Sequence, residues 1–231
     1  MSGIGVKICG LSRRAHLDAA ARAGATYAGF VLFEKSPRHV SVKRMRDLAL
    51  STPAGLARVA LTVDADDATL DALFESVPLE MLQLHGGESP GRVTEVRARY
   101  GLPVMKAVGI ADEDDLPVLD DYEMAADRIL VDAKPPARAA LPGGNGLSFD
   151  WRLLERRKSW RCPWMLAGGL TPENVAEAIR LTGARQVDAS SGVERAPGVK
   201  DTGLIAAFCT AAVGHANREH RAQRKDRRHV R

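Results

Sequence analysis

The sequence predicts one α/β domain closed as a (β/α)8 TIM barrel, on three observations. Eight short β-rich runs alternate with helical patterns, and successive runs start roughly 20 to 35 residues apart, the length of one strand–helix unit. The residues able to do chemistry collect where those runs end. The loops that lead into the runs carry nothing comparable.

Taken in order, the runs are VKIC (Val6–Cys9), YAGFVLF (Tyr27–Phe33), ARVALTV (Ala57–Val63) and MLQLH (Met81–His85). PVMKAVG (Pro103–Gly109), RILVDA (Arg128–Ala133), WMLAG (Trp164–Gly168) and QVDASS (Gln186–Ser191) complete the set. Between them, Leu70, Leu73, Phe74 and Val77 make one apolar helical stripe. Ser89-Pro90 and Thr171-Pro172 each set an N-cap residue before a proline that suits a first helical position. Gly24, Gly101 and Gly183 follow helical stretches, where a left-handed residue ends a helix well. Pro117 predicts a late or irregular fifth helix. A last helix from about Thr202 is expected to bury Leu204, Ile205, Phe208, Cys209 and Ala212.

Composition agrees with a domain of this size. Of 231 residues, 45% are hydrophobic and 27% charged, enough apolar material for a sizeable core. The longest apolar run, Gly203–Gly214, is too short to cross a bilayer, and no signal-like segment opens the chain. Three cysteines without a CxxC fit free thiols in a reducing compartment, so a cytoplasmic protein is expected. The net charge of +4 belongs to the last residues: 217–231 carry seven Lys/Arg against two Asp/Glu. That segment is poor in apolar residues and reads as a solvated tail after a barrel domain of residues 1–216, with a nucleic-acid role not expected.

Chemistry concentrates at two places. In LAGGLTPENV, Gly168 and Gly169 follow strand seven, and in VDASSGVE, Ser190, Ser191 and Gly192 follow strand eight. Glycines let backbone N–H groups approach an anion, and these two loops are the usual phosphate cradle of such barrels. At the other place, period-two alternation puts Lys7 and Cys9 on one face of strand one, with Val6 and Ile8 turned to the helices. Asp132 faces the mouth from strand six, and His85 stands at the end of strand four. A lone cysteine is ordinarily core filler, and a lone aspartate a cap or surface partner. Together they suit proton transfer: a thiolate favoured by nearby cations takes a proton from carbon, and a buried carboxyl gives one to a leaving oxygen. His85 would tune Asp132 or bind substrate, or be a satisfied core histidine. No close-spaced ligand pair supports a metal at Cys9, His85 and Asp132.

These segments, in order, resemble one family. KICG, GFVLFEKSPRHVS, LQLHGGES, VDA with the later PGGNGLSFDW, LAGGLTPENV and VDASSGVERAPGVKD are all similar to phosphoribosylanthranilate isomerase, from about Val6 to Phe208. The resemblance implies a cofactor-independent Amadori rearrangement in tryptophan biosynthesis, with N-(5′-phosphoribosyl)anthranilate as the small phosphorylated substrate. Its product would be 1-(2-carboxyphenylamino)-1-deoxyribulose 5-phosphate. By motif position, Asp132 would be the general acid, Cys9 the general base, and Arg38 the partner of the anthranilate carboxylate. Gly168, Gly169, Ser190, Ser191 and Gly192 would hold the phosphate, and Asp188 would contact the sugar or the aniline nitrogen. Asn145 and Ala133 depart from the usual family residues without removing any of these groups. The oligomeric expectation is a monomer or homodimer.

Two other readings stand beside this one, the first a related enzyme and the second of another class. A related ribose-phosphate barrel would want two aspartates at strands one and five, or a lysine acid with a glutamate base, for which Lys106 is placed in position. A binding module would keep the barrel and use the basic tail on a polyanion.

Overall fold

In a computed structural model, residues 3–136, 139, 141–155, 157 and 159–214 are described. Eight parallel strands close into one barrel in chain order: β1 (Gly5–Cys9), β2 (Tyr27–Leu32), β3 (Ala57–Thr62), β4 (Met81–Leu84), β5 (Val104–Ile110), β6 (Arg128–Ala133), β7 (Trp164–Leu166) and β8 (Gln186–Ala189). The ring shuts between β1 and β8, where Lys7 lies opposite Asp188 and Ile8 opposite Ala189. The outer layer holds α1 (Arg14–Arg22), α2 (Val42–Leu50), α3 (Asp67–Ser76), α4 (Pro90–Tyr100), α5 (Val118–Ala125), α6 (Arg152–Glu155), α7 (Val175–Thr182) and α8 (202–214).

Alternation along the strands sorts residues between two cores. Val6, Ile8, Leu82, Val108, Val131 and Val187 face outward and pack with Leu17, Leu73, Val93, Ile179 and Phe208 from the helices. Inside the ring, Val59, Met81, Met105, Leu130, Met165 and Ala167 fill the floor. The polar groups stand above that floor, so the apolar plug leaves only one end of the barrel for chemistry.

Local signals act largely as the sequence suggests. Ser89 Oγ accepts from Arg92 N at 3.2 Å with Pro90 in the first turn, and Gly101 and Gly183 end α4 and α7 in the left-handed region, at φ 64° and 69°. Pro117 stands at the start of α5, after a 3-10 turn at Glu113–Asp115, which accounts for the late start. Thr171-Pro172 is different, because α7 begins only at Val175. There the Asn174 side chain accepts from Thr171 N at 2.8 Å and donates to Gly169 O at 2.9 Å, holding a turn that delays the helix. Leu204 is half-buried rather than buried, while Ile205, Phe208, Cys209 and Ala212 are fully inside. A two-stranded hairpin, β9 (Glu194–Ala196) and β10 (Val199–Lys200), follows β8, a feature that strand spacing does not announce. The basic segment 217–231 lies outside the described residues, and none of the helices described is long and apolar enough to cross a membrane.

Phe208 is fully buried and anchors α8 against the outer core. Phe208→Ala is expected to cost about 3–5 kcal/mol of unfolding free energy, read from urea denaturation midpoints.

Candidate active site

A cleft occupies the C-terminal mouth of the barrel. Cys9, Arg38, His85, Asp132, Gly168, Gly169, Asp188, Ser190 and Ser191 all line it. Gly192 does not: its backbone packs so closely on Leu170 O that no Cβ would fit, so it sets the approach of two loops from behind.

The mouth is built in levels. Lys7 and Asp188 meet below, across the β1–β8 seam, with Nζ 3.0 Å from Oδ1 and both side chains buried. Burial pulls the Lys7 ammonium down, but Asp188 and Cys9 outweigh it and leave the group above its ordinary value. One pleat higher stands Cys9, 4% exposed. Here the structure corrects the sequence expectation of a thiol lowered by cations. Burial pushes Cys9 up, against the pull of Lys7 and Lys200 and with Asp188 adding to the rise.

Across the cleft, Asp132 Oδ1 accepts from Ala133 N at 2.8 Å, and Oδ2 lies 3.3 Å from His85 Nε2. Gln83, pointing inward from β4, contacts His85 Nδ1 at 2.7 Å. With the Gln83 amide donating there, a neutral imidazole carries its proton on Nε2, facing Asp132. His85 is thus a partner of the carboxyl rather than an isolated core residue.

Arg38 reaches the mouth from a tight turn after β2, in which Ser36 Oγ accepts from Arg38 N at 3.2 Å. Its guanidinium makes a bidentate pair with Glu194, both contacts at 2.8 Å, and donates to Gly144 O at 3.1 Å. Arg38 is therefore already paired, and a ligand carboxylate would share it with Glu194. Glu194 also accepts from Lys200 Nζ at 2.6 Å, and Lys200 in turn donates to Ser190 O at 2.9 Å. Burial raises the Glu194 carboxyl, but Arg38 and Lys200 outweigh it and hold it below the usual range.

The segment 141–147 after β6 covers one side of the cleft. A Cβ on Gly143 would collide with His85 and lie 2.8 Å from Asp132 Oδ2, so this position needs glycine for the loop to seat. Val31, Phe33, Leu61 and Val63 form an apolar wall opposite. At the other end, Gly168 and Gly169 sit at φ 83° and 63°, beside the Ser190 and Ser191 hydroxyls.

Lys106 corrects another expectation. It points away from the mouth into the strand–helix layer, where Nζ donates to Gly86 O at 2.6 Å and Glu88 Oε2 at 2.8 Å. It ties loops together and is not placed for proton transfer. Sequence reasoning passes over Glu194, Lys200 and Gln83. The first two lie within SSGVERAPGVKD, and their hidden signal is a pair of opposite charges in a segment otherwise read for its glycine and serines.

A parallel barrel with a glycine-lined end, an apolar wall and a thiol facing a carboxyl is an enzyme barrel of the phosphate-binding class. A family model for N-(5′-phosphoribosyl)anthranilate (PRA) isomerase matches residues 6–211, and the chain belongs to that family. It is 67% identical over 212 residues to the N-(5′-phosphoribosyl)anthranilate isomerase of Cereibacter sphaeroides, covering 92% of this chain and 100% of that one. The crystal structure of phosphoribosyl anthranilate isomerase from Thermotoga maritima superposes with a TM-score of 0.82 at 33% identity, covering 91% of this chain and 99% of that one. A further isomerase structure, in complex with reduced 1-(o-carboxyphenylamino)-1-deoxyribulose 5-phosphate, gives 0.79 at 32% identity, with 91% and 99% covered.

Because Glu194 is held below its ordinary value of 4.5, its pairing stabilises the fold above that pH and is lost as pH falls through the lower folded value. Glu194→Gln should remove that part of the acid-side slope, seen by comparing urea midpoints of both proteins from about pH 6 to about pH 3.

Proposed function

We infer that the chain isomerises N-(5′-phosphoribosyl)anthranilate to 1-(2-carboxyphenylamino)-1-deoxyribulose 5-phosphate, with Asp132 and Cys9 moving the protons. The observation that carries the assignment of roles is the pairing of Cys9 and Asp132 across one cleft, between a glycine-lined end and an apolar wall. Gly168, Gly169, Ser190 and Ser191 receive the phosphate, with Gly192 holding their loops together. The anthranilate ring lies against Val31, Phe33, Leu61 and Val63, and its carboxylate shares Arg38 with Glu194.

In this pose Asp132 gives its proton to the ring oxygen, the bond from that oxygen to the anomeric carbon breaks, and the aniline nitrogen supplies the pair that forms the Schiff base. His85, on the other carboxyl oxygen, orients Asp132. Cys9, as thiolate, then removes the proton from the adjacent carbon; the resulting enolamine tautomerises to the ketone. Asp188 faces the sugar or the aniline nitrogen from below.

With PRA made in situ and its fluorescence followed, Cys9→Ala and Asp132→Asn are each expected to lose about 10²–10⁴-fold in turnover while still binding product. EDTA should leave the wild-type rate unchanged. Wild-type protein that folds but gives no turnover would overturn the assignment. Because burial holds the Cys9 thiol up, kcat/KM should climb as pH rises through neutrality, and a flat profile there would remove Cys9 as base. The segment 217–231 is proposed as an accessory to the barrel: its deletion should leave turnover intact, whatever it does to polyanion binding.

A further inference from the structure

We propose that Lys7 is a positioning residue that sets the ionisation of Cys9, and that Asp188 competes with the thiolate for the same ammonium. The inference rests on the reading of Cys9 as base and concerns what makes a buried thiol serve as one.

Geometry brings the two groups together. Lys7 and Cys9 are alternate inward residues of β1, and the strand beside them places Gly29 opposite Cys9. A Cβ added at Gly29 would lie 3.0 Å from Cys9 Sγ and 3.2 Å from Lys7 Nζ. The space a side chain would fill is one that thiol and ammonium both border. Lys7 is wholly buried and ion-paired with Asp188, and its Nζ borders the same small space as the Cys9 sulfur.

Donor accounting separates Lys7 from the other cation nearby. An ammonium has three N–H groups. Those of Lys200 go to Glu194 Oε1 at 2.6 Å, Ser190 O at 2.9 Å and Ser190 Oγ at 3.3 Å. Lys7 has one oxygen partner among the described residues, Asp188 Oδ1, which leaves it N–H groups for sulfur. The other charged or titratable groups described around Cys9 are already engaged. Arg38, which flanks Gly10, is held by Glu194, and Asp132 and His85 are paired with each other at 3.3 Å. β2 contributes Gly29 and Val31, and β3 contributes Leu61, none of which titrates.

Two substitutions should therefore move Cys9 in opposite directions. Thiolate formation is followed on the free enzyme by ultraviolet absorbance, with Cys9→Ser subtracted, and by peptide-resolved iodoacetamide alkylation. Burial pushes Cys162 and Cys209 each up to about 11, so their signals lie at the alkaline end. Lys7→Met should raise the Cys9 midpoint and slow its alkylation at neutral pH by about tenfold or more, since a midpoint higher by about one on the pH scale leaves about tenfold less thiolate. Asp188→Asn, which removes the competitor but keeps the shape, should lower the midpoint and speed alkylation. If Lys7→Met does not fold, Lys7→Met combined with Asp188→Asn removes the unpaired buried carboxylate and should still show the raised midpoint. A Cys9 profile indifferent to both positions would overturn the proposal and leave the pair a purely structural one. Opposite shifts together with full turnover by Cys9→Ala would uphold the Lys7 assignment and overturn only the base role of Cys9.

Discussion

The barrel closes between its first and last strands, and the ion pair of Lys7 with Asp188 sits in that seam. The two residues are 181 positions apart in sequence and directly opposite in register. A buried pair of this kind gains little over an apolar pair of the same shape, yet leaving one charge without the other costs about 3–5 kcal/mol. It penalises misregistered closure more than it rewards closure itself. A slip of one residue would turn Val187 inward and Asp188 into the helix layer. The same register raises Cys9 and Ser190 to the rim together, where Ser190 Oγ donates to Cys9 O at 3.3 Å. Seam and site are thus fixed by one alignment.

Above the seam, each cation at the mouth is matched with a carboxylate. Lys7 has Asp188, and Lys200 and Arg38 share Glu194. The short hairpin after β8 delivers both Glu194 and Lys200, so it braces the turn that carries Arg38 and the loop that carries Ser190 at once. Gly144 O, accepting from Arg38, extends that bracing to the segment covering the cleft. These groups are buried because they hold one another, and the arrangement leaves the thiol in surroundings that disfavour its charge unless Lys7 answers it.

Much of this was legible in the chain. Strands buried on both faces announce themselves as short apolar runs, and their alternation alone places Cys9 and Asp132 on the inner face with Val6 and Ile8 outside. Caps set by local bonds, as at Ser89 and Gly101, are equally readable. What escapes depends on contacts between distant residues. The delayed start of α7 comes from an Asn174 side chain that bonds back to Thr171 and Gly169, a choice that proline at 172 does not reveal. Lys106 lies between the inward-facing Met105 and Ala107, so alternation itself turns it to the helix layer; what the chain does not reveal is its partner there, Glu88, which waits in another loop. Cationic neighbours suggest a lowered thiol at Cys9, and burial reverses that sign, because desolvation depends on everything packed around the sulfur.

The glycine-lined end of the cleft has a consequence for how a phosphate would be met. Arg38 is the one Lys or Arg side chain among the described lining residues, and it is held by Glu194, which it shares with the buried Lys200. The loops themselves offer Gly168, Gly169, Ser190 and Ser191, all neutral. Amide and hydroxyl dipoles act over a few ångströms, whereas full charges reach out to the Debye length, about 8 Å at physiological ionic strength. A phosphate dianion seated at this end would be met by neutral donors at short range, by fit more than by attraction from a distance. Its capture should owe little to the salt content of the medium, which lets the barrel choose among anions by shape where a basic pocket would choose by charge.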